Sequence, residues 1–246
     1  MKKILLTTSL LCIIFFTNAQ KGWYMVANGQ ANASYIMNQN SYGSPELNYK
    51  TTIGYGGNIG AGLNFNNEIG LQLNAGITKT GQKYADDFKI GPQKFEKNTK
   101  DVDLTYMTVG LLFRYAPILS KQEYVDDPKI KLVIMVGPQL NWLAKANVSY
   151  ERAGAEVGYP FAKPELDYKP VGYDRDLFQK IMVSGVVSVG IDYLITPKFF
   201  LNAAIRTEVG FNDINSKAYR KHEGYGSSRI LNPGLQFGLG FFFSRD

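Results

Sequence analysis

The segment IGYGGNIGAGLNF, residues 53–65, decides the fold because apolar and small or polar residues alternate along it. A period of two places the apolar side chains on one face of a β-strand, whereas a helix needs a period near 3.6. Asn66-Asn67-Glu68 follows, and the alternation then resumes from Ile69 to Thr78. The two segments predict a β-hairpin with a tight turn.

The same alternation recurs in other parts of the chain, around residues 23–37, 102–115, 130–144, 181–193, 199–211 and 230–243. Together with the hairpin these make eight strands, an even number as in bacterial single-chain barrels. Connections at 66–68 and 195–198 are short, and the one at 116–129 is longer than a periplasmic turn usually is, whereas those at 39–50, 81–100, 145–179 and 212–229 are long. We therefore predict an all-β fold, an eight-stranded antiparallel up-and-down transmembrane β-barrel with short periplasmic turns and longer extracellular loops.

The non-apolar positions within the strands distinguish a membrane barrel from a water-soluble one. They are mostly Gly, Asn, Gln, Ser and Thr, and the charged residues are concentrated between the strands. A water-exposed sheet face normally carries Lys, Glu and Arg, whereas small polar residues suit a narrow lumen. A soluble periplasmic ligand-binding barrel is the alternative, which cell fractionation would separate.

The N-terminus predicts export. Lys2 and Lys3 precede an apolar segment, 4–16, and Thr17-Asn18-Ala19 supplies small residues of the kind found at signal-peptide cleavage sites. We expect residues 1–19 to be a signal peptide cleaved near Ala19 and residues 20–246 to form one barrel domain. The expected location is the outer membrane of a Gram-negative bacterium.

Composition argues against several functions. The chain has 27 basic and 21 acidic side chains, and the basic ones are scattered rather than gathered in a stripe, so we expect no nucleic-acid partner. The only cysteine, Cys12, lies in the signal segment, and His222 is the only histidine. With so few soft ligands, we expect no metal site and no cofactor.

Several segments carry a resemblance to a known family. They are Gln20-Lys21-Gly22-Trp23-Tyr24, Val136-Gly137-Pro138, Ala204-Ile205-Arg206 followed by Val209-Gly210-Phe211, and the aromatic final strand. In these segments the chain resembles the outer-membrane β-barrel family common in Bacteroidetes, the PorT-like barrels, which are akin to OmpA-type barrels. The resemblance implies the fold and the location. Some relatives take part in type IX secretion, so an accessory role in a secretion or envelope assembly is an alternative function.

Charged residues within the strands are candidates for the barrel interior. Arg114, Asp192, Arg206 and Glu208 all occupy inward-facing positions of the predicted strands. Buried charges need partners, so we expect a polar network that plugs the lumen. A proton or solute path through the same residues is the alternative, although an eight-stranded barrel is just wide enough to be filled by side chains.

The long loops hold the remaining candidates, since a rigid barrel presents its loops for binding. The longest is rich in Tyr and Pro and contains Tyr150, Tyr159, Tyr168 and Tyr173. The last contains Arg220, Lys221, His222 and Arg229, whose cations could bind lipopolysaccharide phosphates. Ordinary solvated loops are the plainer interpretation of both.

The sequence favours a non-enzymatic outer-membrane protein with a structural or interaction role, surrounded by outer-membrane lipid and lipopolysaccharide and open to a protein partner in an envelope complex. The main rival is a lipid-modifying enzyme that uses His222. No spacing of Ser or Asp around His222 indicates a catalytic site, so the sequence predicts no catalytic residue.

Overall fold

The structure, a computed structural model, describes residues 22–37, 48–90, 94–117, 129–152, 155–156, 177–217 and 226–243. Eight long strands form the barrel: β1 Trp23–Met37, β3 Thr52–Asn64, β4 Ile69–Ile90, β5 Lys94–Tyr115, β6 Ile130–Arg152, β8 Ile181–Leu194, β9 Phe199–Gly210 and β10 Arg229–Phe242. Two short strands, β2 Asn48–Lys50 and β7 Ala155–Glu156, pair with β4 and β6. Among the described residues, no helix is long and apolar enough to cross a bilayer.

The eight long strands close into a barrel in which every pairing is antiparallel. Each strand pairs with the next long strand along the chain, and β1 pairs with β10, for example Ala27 with Leu239. Closure leaves no open sheet edge, so backbone N–H and C=O groups pair with one another, as hydrocarbon surroundings require. The predicted fold class is confirmed.

An apolar band surrounds the outside of the barrel. Large apolar side chains face outward on all eight long strands, and many are half or more exposed, including Ile59, Leu73, Met107, Ile205 and Phe237. Water-soluble monomers rarely expose contiguous apolar patches larger than a few hundred Å². The band is therefore the lipid-facing surface, and in β4 it runs from Ile69 to Ile77, a length that suits the roughly 9–11 residues of a membrane-crossing strand.

The barrel has two different ends. The turn end holds the tight turns 65–68 and 195–198 and both Trp23 and Phe243, and aromatic rings line it, with Phe199 and Phe241 centred 5.0 Å apart. The β5–β6 connection, residues 116–129, also belongs to the turn end and is longer than predicted for a periplasmic turn, whereas at the opposite loop end β4 and β5 are joined by residues 91–93 alone. Asn66 Oδ1 caps the first turn by accepting hydrogen bonds from the backbone N–H groups of Glu68 and Ile69.

Strands β4, β5 and β6 continue past the apolar band at the loop end. Beyond Ile77 the outward positions of β4 become Lys79 and Lys83, and β4 remains paired with β5 as far as Ile90 opposite Lys94. Twelve residues at about 3.4 Å each extend roughly 40 Å along the strand. A register shift between Thr105 and Tyr106, where β6 has the extra residue Ala144, lies where this extension leaves the band.

The extension corrects the predicted loop boundaries. Residues 81–90 and 94–100, predicted as a long loop, are paired β-strand, and residues 145–152 belong to β6. The prediction was wrong there because charged residues between apolar segments were taken to mark loops. A strand that has left the membrane faces water, so its outward positions carry charges while its backbone pairing continues.

Candidate functional site

The interior of the barrel is arranged in layers. At the turn end, Tyr24, Val26, Leu194, Phe200 and Phe242 form an apolar cluster, and a second cluster on β5, β6 and β8 lies beside it. The middle of the lumen is polar, with buried Asn, Gln, Ser and Thr side chains around the inward-facing charges. A larger apolar cluster follows at the loop end.

Arg114 and Asp192 form a buried ion pair near the turn end. Arg114 Nη2 donates to Asp192 Oδ2 at 2.8 Å, and both side chains are less than a tenth exposed. The other oxygen of Asp192 accepts from Asn202 Nδ2 at 2.8 Å, and Arg114 Nη1 donates to Asn64 Oδ1 at 3.2 Å. The guanidinium also lies 5.7 Å from the centre of the Tyr24 ring. Every charged group of this pair therefore has more than one partner, as burial demands.

Arg206 and Glu208 lie farther along β9 toward the loop end and form no direct ion pair in the described structure. Arg206 Nη2 donates to Gln139 Oε1 at 2.7 Å, and Gln139 Nε2 donates to Asn141 Oδ1 at 2.8 Å. Asn141 Nδ2 and Ser184 Oγ then both donate to Glu208 Oε1, at 2.9 and 2.8 Å. The two charges are joined through neutral side chains of β6, and polarised chains of this kind strengthen one another.

Hydroxyl groups tie strands together across the lumen nearer the loop end. Thr80 Oγ1 donates to Asn232 Oδ1 at 2.8 Å, which links β4 to β10. Ser34 Oγ on β1 donates to the carbonyl of Gly81 on β4 at 2.7 Å. Neither pair of strands is adjacent in the barrel, so these bonds cross the interior.

Two segments outside the long strands fold inward at the loop end. Phe178 and Ile214 are buried in the apolar cluster with Tyr84 and Leu143, and Phe178 forms a backbone bridge to Asn215. The sequence analysis missed these residues. The signal was present as isolated apolar side chains within otherwise polar connections.

Asp213 holds this inward fold in place. Its Oδ1 accepts hydrogen bonds from the backbone N–H of Asn215 at 3.0 Å and from that of Ser228 at 3.2 Å, which joins the segments on either side of residues 218–225. The backbone N–H of Gln179 donates to the carbonyl of Ile214 at 2.7 Å. Asp213 is 6% exposed, so its carboxylate is a buried acceptor rather than a solvated loop charge.

The outer face of the β4–β5–β6 extension is charged and its charges are paired. Lys79 lies 3.2 Å from Asp103, and Lys83 lies 3.3 Å from Asp101. The Lys79 ammonium is also 5.9 Å from the centre of the Tyr55 ring. These side chains are between a third and a little over half exposed, so each pair contributes little to stability, at most about 1 kcal/mol.

All four lumen candidates predicted from the sequence are among the described residues, whereas of the loop candidates only Tyr150 and Arg229 are. Tyr150 is not in a loop, because its backbone is part of β6 and pairs with Lys100. Arg229 begins β10, is exposed, and its Nε donates to Ser227 Oγ at 3.2 Å. The other candidates lie outside the described residues: Tyr159, Tyr168, Tyr173, Arg220, Lys221 and His222.

A hydroxyl and a carboxylate lie close together in the described part of the lumen. The side chains of Ser184 and Glu208 are hydrogen-bonded, but both residues are almost fully buried between the apolar clusters. Within the described ranges, no group of three or more His, Cys, Asp or Glu side chains could hold a metal ion.

Several solved structures of outer membrane proteins are similar to this chain over most of its length, at low sequence identity. Neisserial surface protein A is 16% identical with a TM-score of 0.45, and the match covers 90% of this chain and 97% of that one. The outer membrane protein OprG from Pseudomonas aeruginosa is 14% identical with a TM-score of 0.42, and the match covers 91% of this chain and 96% of OprG. The outer membrane protease OmpT from Escherichia coli is 11% identical with a TM-score of 0.44, and the match covers 92% of this chain and 97% of OmpT. No curated protein matches this chain.

One protein family, defined by its sequence pattern, matches this chain over nearly its whole length. The family described as "Outer membrane protein beta-barrel domain" matches residues 4–243, which is nearly the whole chain. That match agrees with the closed antiparallel barrel and its apolar band, and both assign the protein to the outer membrane. The chain therefore belongs to the outer membrane protein β-barrel domain family.

Proposed function

We propose that this protein is a non-conducting outer-membrane barrel with a structural or interaction role, and that its working surface is the extracellular loop end. The observation that carries the proposal is a contrast between the two parts of the molecule. Side chains occupy the lumen at every level, while three strands extend well beyond the lipid-facing band.

The lumen contributes to this proposal through its layered packing. Apolar clusters lie on both sides of the polar layer, and each of the two cavities beside the charged groups has a volume of only about 10 Å³. That volume accommodates about one water molecule, so neither cavity passes a hydrated ion or solute. A plugged lumen leaves the outer surface as the place for function.

The extension contributes a rigid support. Strands β4, β5 and β6 remain hydrogen-bonded to one another throughout it, and Tyr84, Val102 and Val148 on their inner face pack in the loop-end cluster. Function tends to concentrate on loops that a rigid scaffold positions. The Tyr-rich loop candidates of the sequence analysis, Tyr159, Tyr168 and Tyr173, follow this support in the chain, which favours them as contact residues.

Two kinds of partner suit this surface. The basic residues Arg220, Lys221 and Arg229 suit lipopolysaccharide phosphates, and the Tyr-rich segment suits a protein in an envelope assembly. A PorT-like barrel of Bacteroidetes acting as an accessory secretion subunit is one form of the second case. Export through a signal peptide cleaved near Ala19 belongs to the same proposal.

Planar-bilayer recording of the purified protein tests the closed lumen. We expect no single-channel events above the baseline of a protein-free bilayer. Stepwise conductance that persists in freshly refolded protein would contradict the proposal.

Truncation of the extension tests the working surface. Residues 86–98 are replaced by Asn-Gly, a two-residue turn suited to the paired Ala85 and Thr99. We expect the barrel to fold, as judged by its heat-dependent gel mobility, and to lose partners that are cross-linked to the full chain in intact cells. Lys83→Gln is the matched control, since it leaves the hairpin in place. Equal cross-linking of the truncated and full-length barrels would place the working surface elsewhere.

A further inference from the structure

A small cavity lies in the polar layer beside Arg206 and Glu208. Its volume is about 10 Å³, and Gln30, Asn32 and Asn232 complete its polar lining. A cavity of this size holds about one water molecule when at least two polar groups face it.

Arg206 uses little of its hydrogen-bonding capacity. Among the described residues its guanidinium makes one hydrogen bond, from Nη2 to Gln139 Oε1. A guanidinium has five N–H donors, and Arg206 is only 7% exposed. A buried cation with unused donors is costly unless an acceptor lies nearby, so the cavity beside it is where such an acceptor is needed.

Asn32 and Gln30 present the complementary groups. Asn32 is 6% exposed, and neither its Oδ1 nor its Nδ2 has a hydrogen-bond partner in the described structure. Gln30 Oε1 is likewise buried without a partner, although Gln30 Nε2 donates to Thr78 Oγ1. Buried polar atoms are rarely left unpaired, and these atoms include both acceptors and a donor.

Charge and size identify the occupant. Arg206 and Glu208 both line the cavity, so their formal charges cancel and neither an anion nor a metal cation is favoured. The volume excludes an organic molecule. Water fits because it both donates and accepts hydrogen bonds, and a bridging water is nearly as favourable as a direct bond.

We propose that this cavity binds one structural water molecule, which accepts a hydrogen bond from the Arg206 guanidinium and donates to the unpartnered oxygens of Asn32 and Gln30. The water extends the Arg206 network from β9 across the lumen to β1. It thereby completes the hydrogen bonding of Arg206, a buried cation that forms no ion pair with Glu208.

Solution NMR of the ¹⁵N-labelled barrel in lipid nanodiscs tests the water directly. We expect a rotating-frame Overhauser cross-peak between water and the Arg206 Nε–H, with the sign of direct contact, which is opposite to that of chemical exchange. Absence of this cross-peak in a well-folded sample would overturn the proposal.

Asn32→Leu supplies a second test, because the two states of the cavity predict opposite signs. If water is bound, leucine displaces it, removes the cross-peak and lowers the urea midpoint of unfolding. If the cavity is dry, leucine replaces an unpartnered amide and raises the midpoint, which would overturn the proposal. Asn28→Leu is the matched control, since Asn28 lies on the inner face of the same strand but lines the other cavity, and the Arg206 cross-peak should remain.

Discussion

Arg114 on β5 donates a 2.8 Å hydrogen bond to Asp192 on β8, although β6 lies between these two strands in the barrel. The pair therefore crosses part of the lumen rather than following the sheet. Both side chains are almost fully buried, so bulk solvent does not screen the pair.

Breaking this ion pair should destabilise the barrel strongly. We expect Arg114→Met to lower the free energy of unfolding by about 3–5 kcal/mol, because it leaves the Asp192 charge buried without its counter-charge. Urea titration in lipid vesicles, followed by the fluorescence of Trp23 and Trp142, measures the change. Lys79→Met removes the cation of an exposed pair and serves as the control, with an expected loss below about 1 kcal/mol. Equal losses from the two variants would contradict the prediction.

Gly62 should tolerate no larger residue. A Cβ built there would lie 2.0 Å from Cζ of Tyr24, whereas a Cβ at Gly29, on the lipid-facing side, would meet nothing within 4 Å. We expect Gly62→Ala to cost about 1–3 kcal/mol through overpacking. Gly29→Ala should stay within about 0.5 kcal/mol of the original protein. The same urea titration measures both variants, and a neutral Gly62→Ala would show that Tyr24 can move aside.

A charge in the middle of the apolar band should be costly because lipid surrounds it. Leu73 lies midway between Ile69 and Ile77 on the outer face of β4 and is 53% exposed. We expect Leu73→Arg to cost about 2–4 kcal/mol, the range for a basic residue at the bilayer midplane of a barrel. Ser149→Arg, on the outer face of the extension, should be nearly neutral. A neutral Leu73→Arg would mean that the membrane does not lie at this level.

Removal of the Asp213 carboxylate should loosen the loop end. Asp213→Ala takes away the acceptor shared by the backbone N–H groups of Asn215 and Ser228. We expect faster trypsin cleavage after Lys217 in reconstituted vesicles and a loss of about 1–3 kcal/mol, the cost of leaving buried donors unpaired. Asp213→Asn keeps one acceptor oxygen and should behave closer to the original. Unchanged cleavage in Asp213→Ala would show that the loop-end cluster alone holds the segment.

Several parts of the fold and site were predictable for a simple physical reason. In a strand, successive side chains point to opposite faces whatever the neighbouring strand is. Alternation therefore identified the strands, the lipid-facing band and the inward positions of Arg114, Asp192, Arg206 and Glu208.

The loop boundaries could not be predicted in the same way. In residues 145–148, Lys-Ala-Asn-Val, small or apolar residues alternate with polar ones. That pattern is typical of a strand with one face exposed to solvent. Local composition does not distinguish such a strand from a loop that contains occasional apolar residues. The pairing of β5 with β6 shows that these residues are strand. Sequence alone could not show it, because hydrogen bonds between strands depend on residues far apart in the sequence.

By itself, the sequence determined that the chain forms strands, which side chains meet lipid and which point inward, because these properties depend on a residue's position within its own strand. Tertiary structure alone decided which inward groups meet. Closure placed Arg114 against Asp192, separated Arg206 from Glu208 by Gln139 and Asn141, and brought Phe178 and Ile214 into the loop-end cluster. Such contacts depend on the register and curvature of the whole closed sheet, which no single strand specifies.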